Sequence, residues 1–144
     1  MIYLGSDHGG FNLKEEIKKY LDKKKIKYWD LGPNQINKDD DYPDYAVKVA
    51  KEVAKGRENK GILICGTGIG MCITANKVKG IRAALCYDEN TAKLSREHND
   101  ANVLCLGGRT TETKKALKIV DVWLNTNFSG IDRHKRRVEK VNRL

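Results

Sequence analysis

The chain has 144 residues and a mass of 16.3 kDa, the size of one ordinary domain, and folding at that length buries roughly two-thirds of the unfolded surface. Hydrophobic residues make up 40% and charged residues 33%, with only two prolines, a composition that excludes disordered, collagen-like and membrane-spanning proteins. The net charge of +9 predicts an anionic partner, whether nucleic acid, anionic lipid or a small phosphorylated compound.

Short apolar runs alternate with longer stretches of helical period, which is typical of repeated βα units around a parallel sheet. The prediction in chain order is strand 2–5, helix 10–24, strand 26–31, helix 44–55, strand 62–65, a helix ending near 78, strand 81–86, helix 89–98, strand 101–106, helix 111–124 and an amphipathic segment over 131–143. No repeat or linker interrupts this order. We therefore predict one α/β domain over residues 1–144 with a five-stranded parallel sheet.

A turn-rich loop from Gly32 to Pro43 separates the second predicted strand from a helix for which Asp44 is the predicted cap. The loop is long for a compact domain, and loops of this length are often functional. We therefore treat it as a candidate functional segment.

Ligands of open parallel α/β sheets bind beyond the carboxyl ends of the strands, where the amino ends of helices also point. Segments 6–10 (SDHGG), 65–70 (CGTGIG) and 107–109 (GGR) follow predicted strands at that edge. A fourth polar segment, His98-Asn99-Asp100, follows the fourth helix. These four segments are the first candidates for a functional site.

The glycines of segment 65–70 have the pattern GxGxG, which lacks the spacing of the dinucleotide-binding motif GxGxxG. A tight turn that needs positive φ is one interpretation. The other is a nest, in which converging backbone N–H groups hold a phosphate or the oxyanion of a reaction. Cys65 favours the nest, because a thiol beside such N–H groups and a helix start is a candidate base or nucleophile.

The cysteines lie 7, 14 and 19 residues apart without a CxxC pair, which fits neither a zinc knuckle nor a disulfide-rich secreted scaffold. We expect reduced thiols, with Cys86 and Cys105 as small buried strand residues. His8, His98 and His134 lack metal-ligand spacing, which favours acid–base or phosphate contacts over a metal site. The chain start has no signal-peptide pattern, so we expect a cytoplasmic protein.

The last 14 residues carry six Lys or Arg against two acidic residues, a net +4 and nearly half of the total excess. A solvated basic helix is one interpretation of this segment. The other is that Arg133 and Arg137, which lie one helical turn apart, bind one anionic group together.

Six blocks are SDHGGF (6–11), DYPDYA (41–46), ICGTGIGM (64–71), SREHNDANVL (95–104), GGR (107–109) and RHKRRVE (133–139). Together they resemble the sugar-phosphate isomerase family of type B ribose-5-phosphate isomerases and their galactose-6-phosphate and allose-6-phosphate relatives. The resemblance implies a Rossmann-like three-layer αβα sandwich that forms homodimers or dimers of dimers, with the last helix extending to a partner subunit. It also implies a phosphorylated sugar as substrate, and neither a metal nor a nucleotide cofactor.

The resemblance assigns roles to individual residues. Cys65 is implied as the base between C2 and C1, and Thr67 as the hydroxyl that assists proton transfer between O1 and O2. Some family members lack the cysteine and place a glutamate at the position of Met71, which here cannot replace the base. Asp7 and His98 are implied to open the furanose ring, with His98 donated by the partner subunit.

The remaining implied residues bind substrate. The enediolate oxyanion would be held by the backbone amides of Gly66, Gly68, Ile69 and Gly70. The sugar would contact Tyr42 and Asn99 of the partner subunit. The phosphate would be bound by His8, Arg109, Arg133 and Arg137. Aldose–ketose isomerisation needs each of these functions, which supports the family assignment independently.

Two other functions compete with an isomerase. The basic tail fits a nucleic-acid binder, but 7% aromatic residues and the lack of nucleic-acid-binding motifs argue against nucleic acid as partner. A phosphosugar sensor would have no use for a reactive thiol. Among substrates we favour ribose 5-phosphate over allose or galactose 6-phosphate, because the galactose branch divides its activity between two chains, whereas this chain carries a full residue set.

Overall fold

The computed structural model describes residues 1–144 and contains five strands and six helices. The strands are β1 (Ile2–Ser6), β2 (Tyr28–Asp30), β3 (Lys60–Cys65), β4 (Ala83–Leu85) and β5 (Val103–Gly107). The helices are α1 (Phe11–Lys23), α2 (Tyr42–Ala54), α3 (Ile69–Ala75), α4 (Glu89–Asn99), α5 (Thr113–Asn125) and α6 (Asp132–Asn142). All strands pair in parallel in the order β2-β1-β3-β5-β4, which confirms the predicted sheet.

Side chains of the central strands alternate between two apolar cores, one on each face of the sheet. Ile62 and Ile64 of β3 pack in the core that α1, α4 and α5 cover, where Trp123 is fully buried. Leu63 and Cys65 point to the opposite core, beneath α2 and α3. The fold is therefore the three-layer αβα sandwich that the resemblance implied. None of the helices combines the length and the apolarity needed to cross a bilayer.

Gly5 of β1 lets α2 lie close to the sheet. A Cβ atom at this position would be 2.8 Å from Cγ2 of Val49, a distance that real Cβ contacts do not show. Any larger residue would push α2 outward. The close packing matters for function, because α2 begins with Tyr42 at the carboxyl edge of the sheet.

The edge strands are shorter than predicted. The first pairing of β2 is between Tyr28 and Ile2, so β2 begins where its partner β1 begins, and residues 26 and 27 lie before it. At β4, the N–H of Arg82 donates to the side chain of Asn102 (2.8 Å) and the regular pairing begins only at Ala83.

The predicted start of α2 is wrong. The helix begins at Tyr42, with Asp41 rather than Asp44 as the N-cap residue and Pro43 in the first turn. Proline is tolerated there because the first N–H groups of a helix have no intrahelical acceptor. The loop between β2 and α2 therefore covers residues 31–41 only.

Candidate active site

Loops that follow β1, β3 and β5 interlock at the carboxyl edge of the sheet. The N–H of Gly108 donates to the carbonyl of Cys65 (2.8 Å), and the N–H of Asp7 donates to the carbonyl of Ile64 (3.2 Å). A Cβ atom at Gly10 would lie 2.3 Å from the same Ile64 oxygen, so only glycine permits this approach. The three predicted segments therefore form one site.

Cys65 is the last residue of β3, and its side chain lies beneath the glycine turn. The thiol is 5% exposed, and the N–H of Gly68 donates to its Sγ at 3.1 Å. Gly68 has φ +80°, a conformation that the turn requires and that side chains disfavour. The N–H groups of Gly70 and Met71 have no acceptor in the chain. The turn thus presents one donor to the sulfur and leaves two donors free beside it.

Three further predicted residues surround this turn. Thr67 is exposed, and its Oγ1 accepts the N–H of Ile69 at 3.3 Å. The ring of Tyr42 packs on Gly70, where a Cβ atom would lie 2.5 Å from Cζ. The guanidinium of Arg109 lies over Gly66, with Nη1 3.3 Å from a Cβ atom placed there. The turn is therefore bordered by a hydroxyl, a phenol and a cation.

Asp7 and His8 lie beside the turn and are joined by a third residue that the sequence did not indicate. Asp7 is buried, and its Oδ1 accepts the N–H of Gly10 at 3.1 Å. His8 Nδ1 lies 2.6 Å from Oδ1 of Asp40, which belongs to the loop 31–41. Polar atoms of Asp7, His8 and Asp40 lie within 4.8 Å of one another, so the three side chains form one cluster beside the turn.

The remaining predicted site residues lie at the opposite edge of the sheet. His98 and Asn99 end α4, which runs from the carboxyl end of β4 to the amino end of β5. Arg133 and Arg137 are exposed on α6, which packs against α4. The six residues of β3 separate the two edges by about 16 Å at about 3.3 Å per residue. One chain therefore does not bring these four side chains to Cys65.

A contact between His134 and a bound anion would need its ring to be exposed, and the ring is not. His134 is buried, its ring centroid is 4.3 Å from that of His98, and its Nδ1 is 2.6 Å from Oγ of Ser129. Burial lowers the pKa of His134, and the nearby His98, Arg133 and Arg137 lower it further. His134 thus supports His98 from within the α4–α6 contact.

We expect acid to weaken this contact. Because the pKa of His134 is lower in the folded chain than in the unfolded chain, the unfolded chain takes up a proton first as the pH falls below the ordinary histidine value. The free energy of unfolding should therefore decrease between pH 7.5 and pH 5.5, and less so in His134→Gln. Urea unfolding of both proteins at the two pH values measures this difference. An equal decrease in both would contradict it.

Cys72 is a second feature that no sequence pattern indicated. It lies on α3, partly buried, and a hydrogen bond from Cys105 lowers its pKa to about 7. Cys105 is fully buried in β5, and burial raises its pKa well above the usual value. All four cysteines are free thiols, as predicted. Besides Cys65, the chain therefore has a partly buried thiol, Cys72, whose pKa lies near neutral pH.

Comparisons with known proteins identify the family. The Ribose/Galactose Isomerase family model matches residues 2–141. The probable ribose-5-phosphate isomerase B of Mycoplasma genitalium is 50% identical over 143 residues, which are 99% of this chain and 93% of that protein. The ribose-5-phosphate isomerase B of Escherichia coli is 46% identical over 143 residues, 99% of this chain and 95% of that protein.

Solved structures agree with this assignment. A crystal structure of ribose-5-phosphate isomerase B from Mycoplasma genitalium with bound ribulose-5-phosphate has a TM-score of 0.95 at 50% identity, covering 99% of this chain and 93% of that one. The corresponding protein of Clostridium thermocellum has a TM-score of 0.94 at 51% identity, covering 99% and 95%. The resemblance drawn from the six blocks is confirmed, and this chain belongs to the Ribose/Galactose Isomerase family.

Proposed function

We propose that this chain is an aldose–ketose isomerase that interconverts ribose 5-phosphate and ribulose 5-phosphate through an enediolate, as a single isomerase domain over residues 1–144. The observation that carries the proposal is the thiol of Cys65 beneath a turn whose Gly68 N–H donates to Sγ. Relatives named ribose-5-phosphate isomerase B support the same reaction, and one of them binds ribulose-5-phosphate.

The chemistry follows from the groups around Cys65. As the thiolate, Cys65 removes the proton on C2 of the open-chain aldose and returns it to C1. The developing oxyanion is bound by the free N–H groups at the start of α3, which include those of Gly70 and Met71. Thr67, exposed at the same turn, passes the proton between O1 and O2. No nucleotide cofactor takes part, since the electron pair stays within the sugar.

We further propose that each site is shared between two subunits of a homodimer, or of a dimer of dimers. Ring opening by Asp7 and His98 requires both at one sugar, and in one chain they lie at opposite edges of the sheet. A two-fold axis can place the end of α4 and helix α6 of one subunit over the carboxyl end of the sheet, where Cys65 lies, in the other subunit. Exposed apolar residues near both edges support such a contact: Ile69 (52% exposed) and Ile73 (58%) on α3, and Val141 (52%) on α6.

The basic charge of α6 would then bind the phosphate of the neighbouring site, together with His8 and Arg109. Substrate, rather than nucleic acid or a membrane, would account for the positive charge of the tail. The free thiols fit a reducing compartment and support a cytoplasmic location.

Arg137→Ala should raise KM for ribose 5-phosphate by roughly 10- to 150-fold, because losing one charge-assisted contact costs about 1.5–3 kcal/mol. We expect a smaller change in kcat, since the phosphate is remote from the reacting carbons. Arg136→Ala is the matched control, as it removes an exposed guanidinium from the same helix. Steady-state kinetics measures all three proteins. An unchanged KM in Arg137→Ala would indicate that α6 is a solvated helix without a contact to the phosphate.

The function itself is tested by comparing kcat/KM for ribose 5-phosphate, allose 6-phosphate and galactose 6-phosphate. We expect the ribose ester to be preferred; a hexose preference would assign the chain to another branch of the family. Binding without turnover of any ester would indicate a phosphosugar sensor. Retention on heparin that survives added ribose 5-phosphate would favour a nucleic-acid binder.

A further inference from the structure

The loop 31–41 delivers a buried carboxylate to the site. Oδ1 of Asp40 accepts the backbone N–H of His8 at 3.0 Å and lies 2.6 Å from Nδ1 of the same residue. The side chain of Asp40 is only 5% exposed, whereas that of His8 is 26% exposed. Asp40 thus contacts His8 from the protein side and leaves part of the imidazole open to solvent.

This carboxylate is poorly compensated. Its second oxygen, Oδ2, is buried without a hydrogen-bond partner, and no Lys or Arg forms an ion pair with it. The phenol of Tyr45 has a raised pKa, chiefly from burial and then from the charge of Asp40 and a hydrogen bond with it. A buried and half-satisfied carboxylate costs stability. Such a group indicates a role other than holding the fold together.

The contact settles which ring nitrogen faces the site. An ionised carboxylate only accepts hydrogen bonds, so Nδ1 of His8 must donate to Oδ1 of Asp40. Nε2 is then the one ring nitrogen left for a ligand. When Nε2 is also protonated, the imidazolium lies between the Asp40 carboxylate and whatever anion binds at Nε2, and both hydrogen bonds are charge-assisted.

We propose that Asp40 is a positioning residue for His8: it fixes the ring orientation and the proton on Nδ1, so that Nε2 meets the substrate phosphate. This inference rests on the proposed function, in which His8 binds that phosphate. It also gives the long loop a purpose. Asp40, near the end of the loop, contacts His8, and Tyr42, the first residue of α2, packs on Gly70 two residues later.

The test is a double-mutant cycle with Asp40→Asn and His8→Ala. Asparagine keeps the size of the side chain and removes its charge, and Asp39→Asn is the matched control because Asp39 is an exposed neighbour of the same charge. We expect Asp40→Asn to raise KM for ribose 5-phosphate about tenfold, by analogy with the loss of the partner that orients a metal-binding histidine. kcat should change less, and Tm should be unchanged or higher.

In the His8→Ala background, Asp40→Asn should have no further effect on KM, because the residue through which it acts is gone. The same tenfold effect in both backgrounds, or no effect in either, would overturn the positioning role while leaving the isomerase proposal intact. Absence of wild-type turnover would instead refute the isomerase.

A measurement that needs no activity separates the two proposals. ¹⁵N NMR of the imidazole nitrogens reports which one carries the proton in the neutral ring, and His8→Ala assigns the His8 signals among three histidines. We expect the proton on Nδ1 in the wild type and a shift toward Nε2 in Asp40→Asn. A wild-type proton on Nε2 would overturn the proposal.

Discussion

Replacing Cys65 by alanine should lower kcat by about 10²-fold or more, the usual scale for a general base. The substitution removes the one group beneath the turn that can hold the carbon proton, while the backbone donors that bind substrate stay in place. KM for ribose 5-phosphate should therefore change little. Near-normal turnover of a folded Cys65→Ala protein would refute the assignment of the base.

Cys86→Ala is the matched control for this experiment. Cys86 is buried, and burial raises its pKa to about 11, so it holds no thiolate at neutral pH. Its loss should reduce stability and leave kcat unchanged.

Alkylation offers a second measure of Cys65, provided that Cys72 is removed first. The pKa of Cys72 is about 7, so a reagent added to the wild type would modify two thiols. In a Cys72→Ala background, alkylation should abolish turnover and ribose 5-phosphate should slow the loss. Full activity after modification of Cys65 would contradict its role.

Mixing two inactive variants should restore activity. In a shared site, a heterodimer of Cys65→Ala and His98→Ala chains has one site with both lesions and one with neither. With equal amounts and random pairing, half of the dimers are heterodimers and half of their sites are intact, so about a quarter of wild-type activity should return. The activity is measured after subunit exchange, with circular dichroism showing that both variants are folded.

Heterodimers without activity would give the opposite answer. Mass spectrometry or differential tags can show that the mixed species has formed. If it has formed and turnover is absent, each site is built from one chain, and His98 and Asn99 must be withdrawn from the proposed machinery.

The sequence predicted the architecture because the signal for a buried parallel strand is local. The run from Ile62 to Cys65 has no polar residue, and the glycine turn that follows marks where the strand ends. The ends of edge strands were not predictable in this way. They depend on where the partner strand starts, as at Tyr28, which pairs with Ile2, the first residue of β1.

In the candidate site, too, local sequence features were predictable and contacts between distant residues were not. The turn around Cys65 was predictable because its residues are contiguous and follow a strand. Asp40 was not, since its contact with His8 spans 32 residues and no spacing rule connects them. The burial of His134 was not predictable either, because no spacing rule connects its ring with that of His98 on another helix.

The placement of His98 and Cys65 at opposite edges of the sheet has a consequence for how much enzyme a cell obtains from a given amount of chain. If each site is built from two subunits as proposed, a newly synthesised chain carries one part of each of two sites and has no activity until it pairs with another copy. At concentrations below the dissociation constant of the dimer, activity would grow with the square of chain concentration, so halving synthesis would remove three-quarters of the flux.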